Sequence, residues 1–570
     1  MTGREQTEIE RKYDVGELSQ IPSLVGIDGV AEIVGHDPVN LTAVYYDTDA
    51  HDLARHRIVL RRREGGGDAG WHIKLPADEG RTELHWPLDI GTELDSGTGA
   101  TGDGTVPAEV LEPVRAIVRD RPLTPLARIS TVRTTVHLHA ADGSALAEIA
   151  DDAVSASDAR GGTYRKWREW EVELLDGAPD TRGKRTQLLD AIEKTVLAAG
   201  ARPSSSVAKI ARAVGVDSLT DVVAPTVLPG LLPAPALHEP GSVAGIVVGA
   251  LRELTHDLGR VDPLARADAA DAIHRMRTVV RRLRSVLAVY SRLFDKPAVA
   301  ELRFELKHLG IELGRARDAE VRGRRAAAEL AGVSPHPNAD ADVRLVGGAR
   351  LDYADGLERA RSYLLSTRYY RLLDALDSFT AWPPVTEKAA KPAAAEIDRD
   401  LAKALTQVRR ATARVADAAD PEVALHEVRK AARRLRYAAE AAALAAPAAA
   451  APATPATTVT RATKVSKKAR KKAKEQRVQA AVRFAKSRRR YAEIAATAKP
   501  LVKRLGNRHD RLLYIAELEQ AAQAAHEDGE NTLIYGLLVA RAEDLDDTVA
   551  VAVADAQRSL RRLERLVRKL

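Results

Sequence analysis

From Glu8 to Leu174 the chain repeats a period-two pattern whose polar positions are charged and whose charges cluster by sign. Successive side chains of a strand point to opposite faces. Glu8, Glu10 and Lys12 therefore share a face, as do Arg61 and Arg63 with Arg57 further back. His72 and Lys74 oppose Trp71, Ile73 and Leu75, and Arg81, Glu83 and His85 oppose Thr82, Leu84 and Trp86. Glu148 and Asp152 fall on one side of their run, and Glu169, Glu171 and Glu173 oppose Trp170, Val172 and Leu174. For any single run, a sheet with one wet side is explanation enough. Taken together the runs say more, because nearly every polar face carries grouped carboxylates or grouped cations. If these strands close into a barrel with that face inward, the lumen holds both signs. Burying so many charges is prohibitive unless a ligand and metal ions complete the neutralisation. Carboxylate oxygens suit Mg²⁺ or Mn²⁺, while Arg and Lys suit phosphate oxygens. One cavity holding both fits a metal–polyphosphate complex.

The periodicity changes along the 570 residues, which are enough for two to four domains. Residues 1–215 read as β-rich, with runs at Thr7–Val15, His56–Arg63, Trp71–Leu75, Arg81–Leu88, Ser130–Leu138, Ala145–Val154 and Trp167–Leu174. Gln187–Ala199 and Val207–Val214 read as helices. Residues 216–240 carry five prolines (Pro225, Pro229, Pro233, Pro235 and Pro240) and predict a linker. From 241 to 570 the pattern is helical, in halves of about 241–380 and 393–570, interrupted at Pro383–Pro392 and by a low-complexity basic insertion at about 446–485. Aromatics are only 4%, so burial rests on Ala, Leu, Val and Ile, which suits helix-on-helix packing. Cysteine is absent, which excludes thiolate metal sites and cysteine nucleophiles and fits a reducing cytosol. The polar N-terminus and the lack of a run of about 18 apolar residues predict neither signal peptide nor membrane span.

Formal net charge is 87 − 80 = +7, but Arg461–Arg490 alone holds fourteen Lys/Arg and one acid, a net of +13. The rest of the chain is then 7 − 13 = −6. Such a tract points to a polyanion or is simply a solvated basic stretch.

Glu8-x-Glu10-x-Lys12 resembles the ExExK signature of the CYTH superfamily, the triphosphate tunnel metalloenzymes. Tyr45-Tyr46-Asp47-Thr48, Leu60-Arg61-Arg62-Arg63, Lys74-Leu75-Pro76, Arg81-x-Glu83, Glu148-x-x-x-Asp152 and Glu169-x-Glu171-x-Glu173 follow in the family's order over about 210 residues. Ser205-Ser206-Val207-Ala208-Lys209 is similar to the family's terminal Ser-Lys, with Ala208 in place of that serine. The resemblance implies an antiparallel β-barrel tunnel acting on triphosphates. It implies metal ligation by Glu8 and Glu10, joined by Glu169 or Glu171, with Mg²⁺ or Mn²⁺ as cofactor. Lys12, Arg61, Arg63, Lys74, Arg81, Arg133 and Lys209 would hold phosphates. Glu148 and Asp152 would hold a second metal or orient the attacking water. The strand Ser130–Leu138 has two mixed faces, so parity leaves open whether Arg128 or Arg133 faces the tunnel.

The helical half contains an internal repeat. His274-x-x-Arg277-x-x-x-Arg281-Arg282-Leu283-Arg284 matches His426-x-x-Arg429-x-x-x-Arg433-Arg434-Leu435-Arg436, an offset of 152 positions. Leu313-Gly314-Arg315-Ala316-Arg317-Asp318 matches Leu505-Gly506-Asn507-Arg508-His509-Asp510, an offset of 192. The difference of 40 is about the size of the insertion that lies between the two motifs of the second copy. Spacings of three and four place His274, Arg277, Arg281 and Arg284 on one helical stripe, and His426, Arg429, Arg433 and Arg436 on another. Like charges at this spacing repel, so acids of neighbouring helices or an anionic ligand must offset them. Asp318 and Asp510 are expected to pair with arginines. The duplicated motif resembles the CHAD domain, which implies an all-α bundle of two pseudo-symmetric repeats that binds inorganic polyphosphate. Those eight residues and Arg317 would line the basic surface.

The leading expectation is a cytoplasmic, metal-dependent triphosphatase acting on inorganic tripolyphosphate, with a helical module that binds long-chain polyphosphate. A non-catalytic polyphosphate-granule scaffold is the alternative. Adenylate cyclase, thiamine-triphosphatase and nucleoside-triphosphatase activities are open to the same tunnel. Nucleic-acid binding through Arg461–Arg490 is a further choice.

Overall fold

The computed structural model describes residues 3–27, 29–90, 105–204, 206, 208–215, 242–333, 339–444, 467–543 and 548–570. The chain divides into two compact units, Met1–Leu228 and Pro229–Leu570. The expected proline-rich linker lies outside the described residues, as does the insertion up to residue 466.

The first unit is a curled antiparallel sheet of eleven strands. They are β1 (Arg4–Glu8), β2 (Glu10–Asp14), β3 (Val30–Gly35), β4 (Val39–Asp47), β5 (Val59–Glu64), β6 (Gly70–Pro76), β7 (Arg81–Trp86), β8 (Thr124–Ala140), β9 (Ala145–Asp158), β10 (Tyr164–Leu174) and β11 (Arg202–Pro203). Their order is β1-β7-β6-β5-β4-β8-β9-β10-β2-β11, with β3 on β8. The run expected as one strand over Thr7–Val15 is broken at Ile9. β1 pairs with β7 (Glu8 opposite Arg81), and β2 pairs with β10 (Glu10 opposite Glu173). The Leu174 amide donates to the Ile9 carbonyl at 3.0 Å. One continuous segment thus supplies the strand at one end of the order and the strand next to the other end, and so curls the sheet around an interior. The close approach depends on Gly80, at φ +66°, where a Cβ would stand 1.9 Å from the Glu8 carbonyl oxygen. Only glycine takes that backbone conformation at no steric cost.

Alternation decides which face goes where. Trp170, Val172 and Leu174 pack outward with Leu188, Ile192 and Val196 of the helix Arg182–Ala198. Trp71, Ile73 and Trp86 pack outward with Val110, Val114 and Val118. Burial of such large side chains contributes about 1.5–3 kcal/mol each. The apolar residues therefore lie outside the curl under helices, and the charged positions turn inward.

The second unit is helical. Its main helices are Val243–Arg266, Ala272–Val289, Lys296–Ala331, Gly348–Leu364, Thr367–Ala381, Ala393–Arg414, Pro421–Leu444, Lys467–Glu527, Leu533–Ala542 and Val549–Val567. Local chemistry sets several starts. The Ser242 hydroxyl accepts from the Gly245 amide at 3.1 Å, and the Asp295 carboxylate from the Ala298 amide at 3.2 Å, with Pro297 in the first turn. The stretch Pro383–Pro392 holds only a short turn of 3₁₀ helix, Glu387–Ala390. From Lys467 onward the segment expected as low-complexity insertion is helix, because Ala, Lys and Arg are strong helix formers. Among the described residues no helix is long and apolar enough to cross a membrane.

Candidate functional site

The inward charges of the first unit surround one cavity of about 200 Å³. Its lining brings together Glu8, Glu10, Lys12, Arg61, Arg63, Lys74, Arg81, Arg133, Glu148, Glu171 and Lys209, all named from the sequence and carried here by eight different strands and a helix start. Gln6, Tyr45, Asp68, Glu83 and Glu173 also line it. Parity had placed Glu83 and Glu173 on the right faces without giving them a role. Asp68 and Gln6 carried no signal. Asp68 belongs to the glycine-rich turn after β5, which reads only as punctuation. Arg128 is exposed, whereas Arg133 lies inside.

Three carboxylates form the core of the site. Asp152, Glu169 and Glu171 each present an oxygen, and these oxygens lie within 4.8 Å of one another. All three residues are buried, Asp152 completely. Arg133 donates to both oxygens of Asp152, at 2.7 and 2.6 Å, and to Glu171 at 2.6 Å. Lys209 Nζ stands 2.8 Å from Asp152, 2.8 Å from Glu169 and 2.5 Å from Glu171. Lys12 bridges Glu10, at 2.8 Å, to Glu171. Burial works against the charge of Glu171, but Lys12, Lys209 and Arg133 outweigh it and hold the carboxyl well below its usual range. Glu169 Oε2 accepts from the Trp167 indole at 2.6 Å, and Oε1 is the buried oxygen that faces the Lys209 ammonium. A compact set of hard oxygen donors fits a divalent cation such as Mg²⁺ or Mn²⁺.

The remaining assignments separate. Glu8 accepts from Lys74 at 2.6 Å, and Glu10 from Lys12, so neither joins the compact trio in this arrangement. Burial raises Glu8 to about 7 against the pull of Lys74, with Glu83 adding to the rise. Asp152 lies behind Arg133 and does not reach the open cavity. Its geometry suits holding Arg133, Lys209 or a cation, not orienting water in the cavity. Glu148 does line the cavity, and its other contact is His137 at 2.8 Å. His72, almost fully buried, spans from Glu83 at 3.0 Å to the Asp68 carbonyl at 2.9 Å and ties the mouth turn to the wall. Burial lowers His72 to about 4 and Arg63 to about 9. Arg61 and Arg133 add to the fall at Arg63.

In the second unit the two arginine helices, Ala272–Val289 and Pro421–Leu444, pack together. Arg277 pairs with Asp318 at 2.6 Å, and Arg429 lies 3.7 Å from Asp510. Gly314 and Gly506 sit beside those guanidiniums, where a Cβ would approach to 3.5 and 3.1 Å. The paired motifs thus build the same contact twice. Arg317 pairs with Glu320 at 2.8 Å, and Arg436 with Glu440 at 2.8 Å. Arg281, Arg284 and Arg433 have no acidic partner among the described residues. Burial lowers Arg433 to about 10, and Arg281 and Arg429 lower it further, so the two stripes meet there. Burial, Arg303 and Arg434 depress Arg284, and Arg303 belongs to this cationic group without having been expected. Burial also holds His274 and His426 below their ordinary value. The His426 ring lies 4.5 Å from that of His509.

Each of the two units matches a known domain family. Residues 6–201 match the CYTH domain, and residues 249–462 match the CHAD domain. Two curated relatives, the uncharacterized proteins MT2285 and Rv2226 of Mycobacterium tuberculosis strains, are each 37% identical over 582 residues, covering 99% of this chain and 97% of theirs. Among solved structures, PptA from Streptomyces chartreusis is 18% identical, covering 57% of this chain and 99% of its own, with a TM-score of 0.39. The CHAD domain of the plant Ricinus communis is 21% identical, with 57% and 97% covered and a TM-score of 0.38. HpAC1 of Hippeastrum, described as having a dominant triphosphatase activity, is 19% identical, with 36% and 93% covered and a TM-score of 0.21. The chain belongs to the family of proteins in which a CYTH domain, a member of the triphosphate tunnel group, is followed by a CHAD domain.

Proposed function

We propose that the chain hydrolyses inorganic tripolyphosphate with Mg²⁺ or Mn²⁺ in the first unit and binds longer polyphosphate on the second. The observation that carries this reading is the cavity lining, where seven cations and seven acids converge and Tyr45 is the lone aromatic among the described lining residues. Such a lining addresses a chain of phosphates and offers little to a nucleobase or thiazole ring. Arg61, Arg63, Lys74 and Arg81 stand on adjacent strands and hold successive phosphate oxygens by charge-assisted hydrogen bonds. Arg133 fixes the phosphate end nearest the carboxylate trio. A divalent ion held by Asp152, Glu169 and Glu171 would supply charge neutralisation at the transferring phosphoryl group. Glu148 is the cavity carboxylate free to orient water, its second contact being an imidazole. On the second unit, Arg281, Arg284 and Arg433 are cations that await an anion.

The test is phosphate release by the full chain with tripolyphosphate, long-chain polyphosphate, ATP and thiamine triphosphate, each with Mg²⁺ or Mn²⁺. Tripolyphosphate is expected to be turned over fastest, and Glu169→Ala plus Glu171→Ala to abolish turnover. Unchanged turnover in that double variant defeats the assigned roles. Polyphosphate binding with negligible turnover of every substrate leaves the scaffold reading in place.

A further inference from the structure

Lys209 opens the short helix Lys209–Val214 directly after the extended residue Ala208, and Ala208 and Ile210 both line the cavity. Lys209 lines the cavity as well, through a side chain that ends in a nearly buried ammonium. It sits among Asp152, Glu169 and Glu171, the same three carboxylates that make the compact donor set. One ammonium is thus shared among three carboxylates, at 2.8 Å from Asp152, 2.8 Å from Glu169 Oε1 and 2.5 Å from Glu171. Charge closes the case. Lys209 contacts all three carboxylates, so its ammonium occupies the position that a divalent ion shared by them would take. A divalent ion placed there while the ammonium stays would bring two cations into contact in a buried space, which is strongly unfavourable. The ion therefore needs the ammonium to leave, or an anion to arrive, or both. Lysine carries its charge on a flexible four-carbon stem, and here the stem is rooted in the cavity wall.

We propose that Lys209 is a displaceable counter-ion: it holds the three-carboxylate position until a polyphosphate draws its ammonium into the cavity, and only then do Asp152, Glu169 and Glu171 take a divalent ion. The exchange rests on the metal–phosphate reading of this cavity. It makes ion and polyphosphate mutually reinforcing ligands, and by linkage each raises the affinity of the other by the same factor. It also makes Lys209 a brake on ion loading without phosphate, in addition to a phosphate contact.

The experiment is Mn²⁺ titration of the full chain in phosphate-free buffer, followed by the electron paramagnetic resonance signal of free Mn²⁺. Lys209→Met keeps the apolar stem and removes the charge, and is expected to bind Mn²⁺ about ten-fold more tightly than the unaltered chain, or better, given the repulsion between charges so close together. Lys209→Arg keeps the charge and is expected to remain a weak binder, which separates the effect from any loss of packing. Addition of non-hydrolysable imidotriphosphate should tighten Mn²⁺ binding more in the unaltered chain than in Lys209→Met. The Mn²⁺-induced rise in melting temperature, measured without phosphate, should be larger for Lys209→Met. Equal or weaker Mn²⁺ affinity in Lys209→Met, with an equal melting response, overturns the proposal. Mn²⁺ uptake by none of the three proteins removes the ion site and the exchange together. The expected affinity pattern with no hydrolysis of any triphosphate leaves the exchange standing and sinks only the enzymatic reading.

Discussion

Glu173 offers a quantitative probe of the inward-facing charge. In the sheet it lies opposite Glu10 on β2 and opposite Glu148 on β9, so three carboxylates form a row across adjacent strands. Like charges directly opposite one another destabilise a sheet. Burial raises the Glu173 carboxyl from its ordinary 4.5 to about 7, with Lys74 pulling it down and Glu10, Glu171 and Glu148 pushing it up. A carboxyl whose folded-state value is raised lends its stability below the unfolded value and loses it as pH climbs through the folded value. The window here runs from pH 4.5 to about 7. At about 1.4 kcal/mol per pH unit the interval sets an upper bound near 3 kcal/mol. Solvent screening at a part-exposed carboxyl, and the sharing of charge along the row, reduce this to roughly 1–2 kcal/mol. Glu173→Gln removes the charge and keeps the shape. Relative to the unaltered chain, it is expected to gain roughly 1–2 kcal/mol between pH 4.5 and 8 in EDTA, with little further change at higher pH. Four of the five tryptophans (Trp71, Trp86, Trp167 and Trp170) lie in the first unit, and only Trp382 lies in the second. Tryptophan fluorescence during thermal unfolding therefore follows mainly the unit that holds Glu173. For a unit of this size the expected difference is a few degrees, at about 2–4 °C per kcal/mol. A difference in melting temperature that stays constant from pH 4.5 to 8 refutes the argument.

Other expectations address the second unit and the outer core. Replacing Arg281 and Arg433 together by Gln should weaken long-chain polyphosphate binding and flatten its logarithmic salt dependence by roughly one to two units, without lowering tripolyphosphate turnover, as followed by binding titrations at several ionic strengths. An unchanged salt slope excludes those two guanidiniums from the contact. Trp170→Ala empties a fully buried site behind the acid-bearing strand. It should cost about 3–5 kcal/mol in chemical denaturation of the first unit.

Much of the site was readable in the sequence because β-strand parity is a local property. Glu169, Glu171 and Glu173 had to share a face once Trp170, Val172 and Leu174 were assigned to the other. What parity cannot supply is the partner of each strand. Glu8, Glu10 and Lys12 read as one edge of one strand, whereas the break at Ile9 sends Glu8 to Lys74 and Glu10 to Lys12. The compact trio draws on β9 and β10 together, and no spacing within either strand announces it. β3 and β4 escaped because Val39–Asp47 buries residues on both faces toward its end and does not alternate in polarity. In the helical unit the repeat identified both arginine stripes. Which arginines are neutralised depends on acids carried by the same or other helices, such as Asp318, Glu320 and Glu440.

The segment Arg4–Asp14 belongs to both margins of the curled sheet, and this has a bearing on how the chamber comes into being. Its two neighbours, β7 and β10, are separated by residues 87–163 of the chain. During synthesis Glu10 emerges early and has no strand to lie against until Glu173 has been made. Contacts so distant along the chain are closed late, after the intervening loops have given up their freedom. Until then the acids and bases stay open to water, and the chamber becomes able to capture a multivalent guest only when its last stave meets its first.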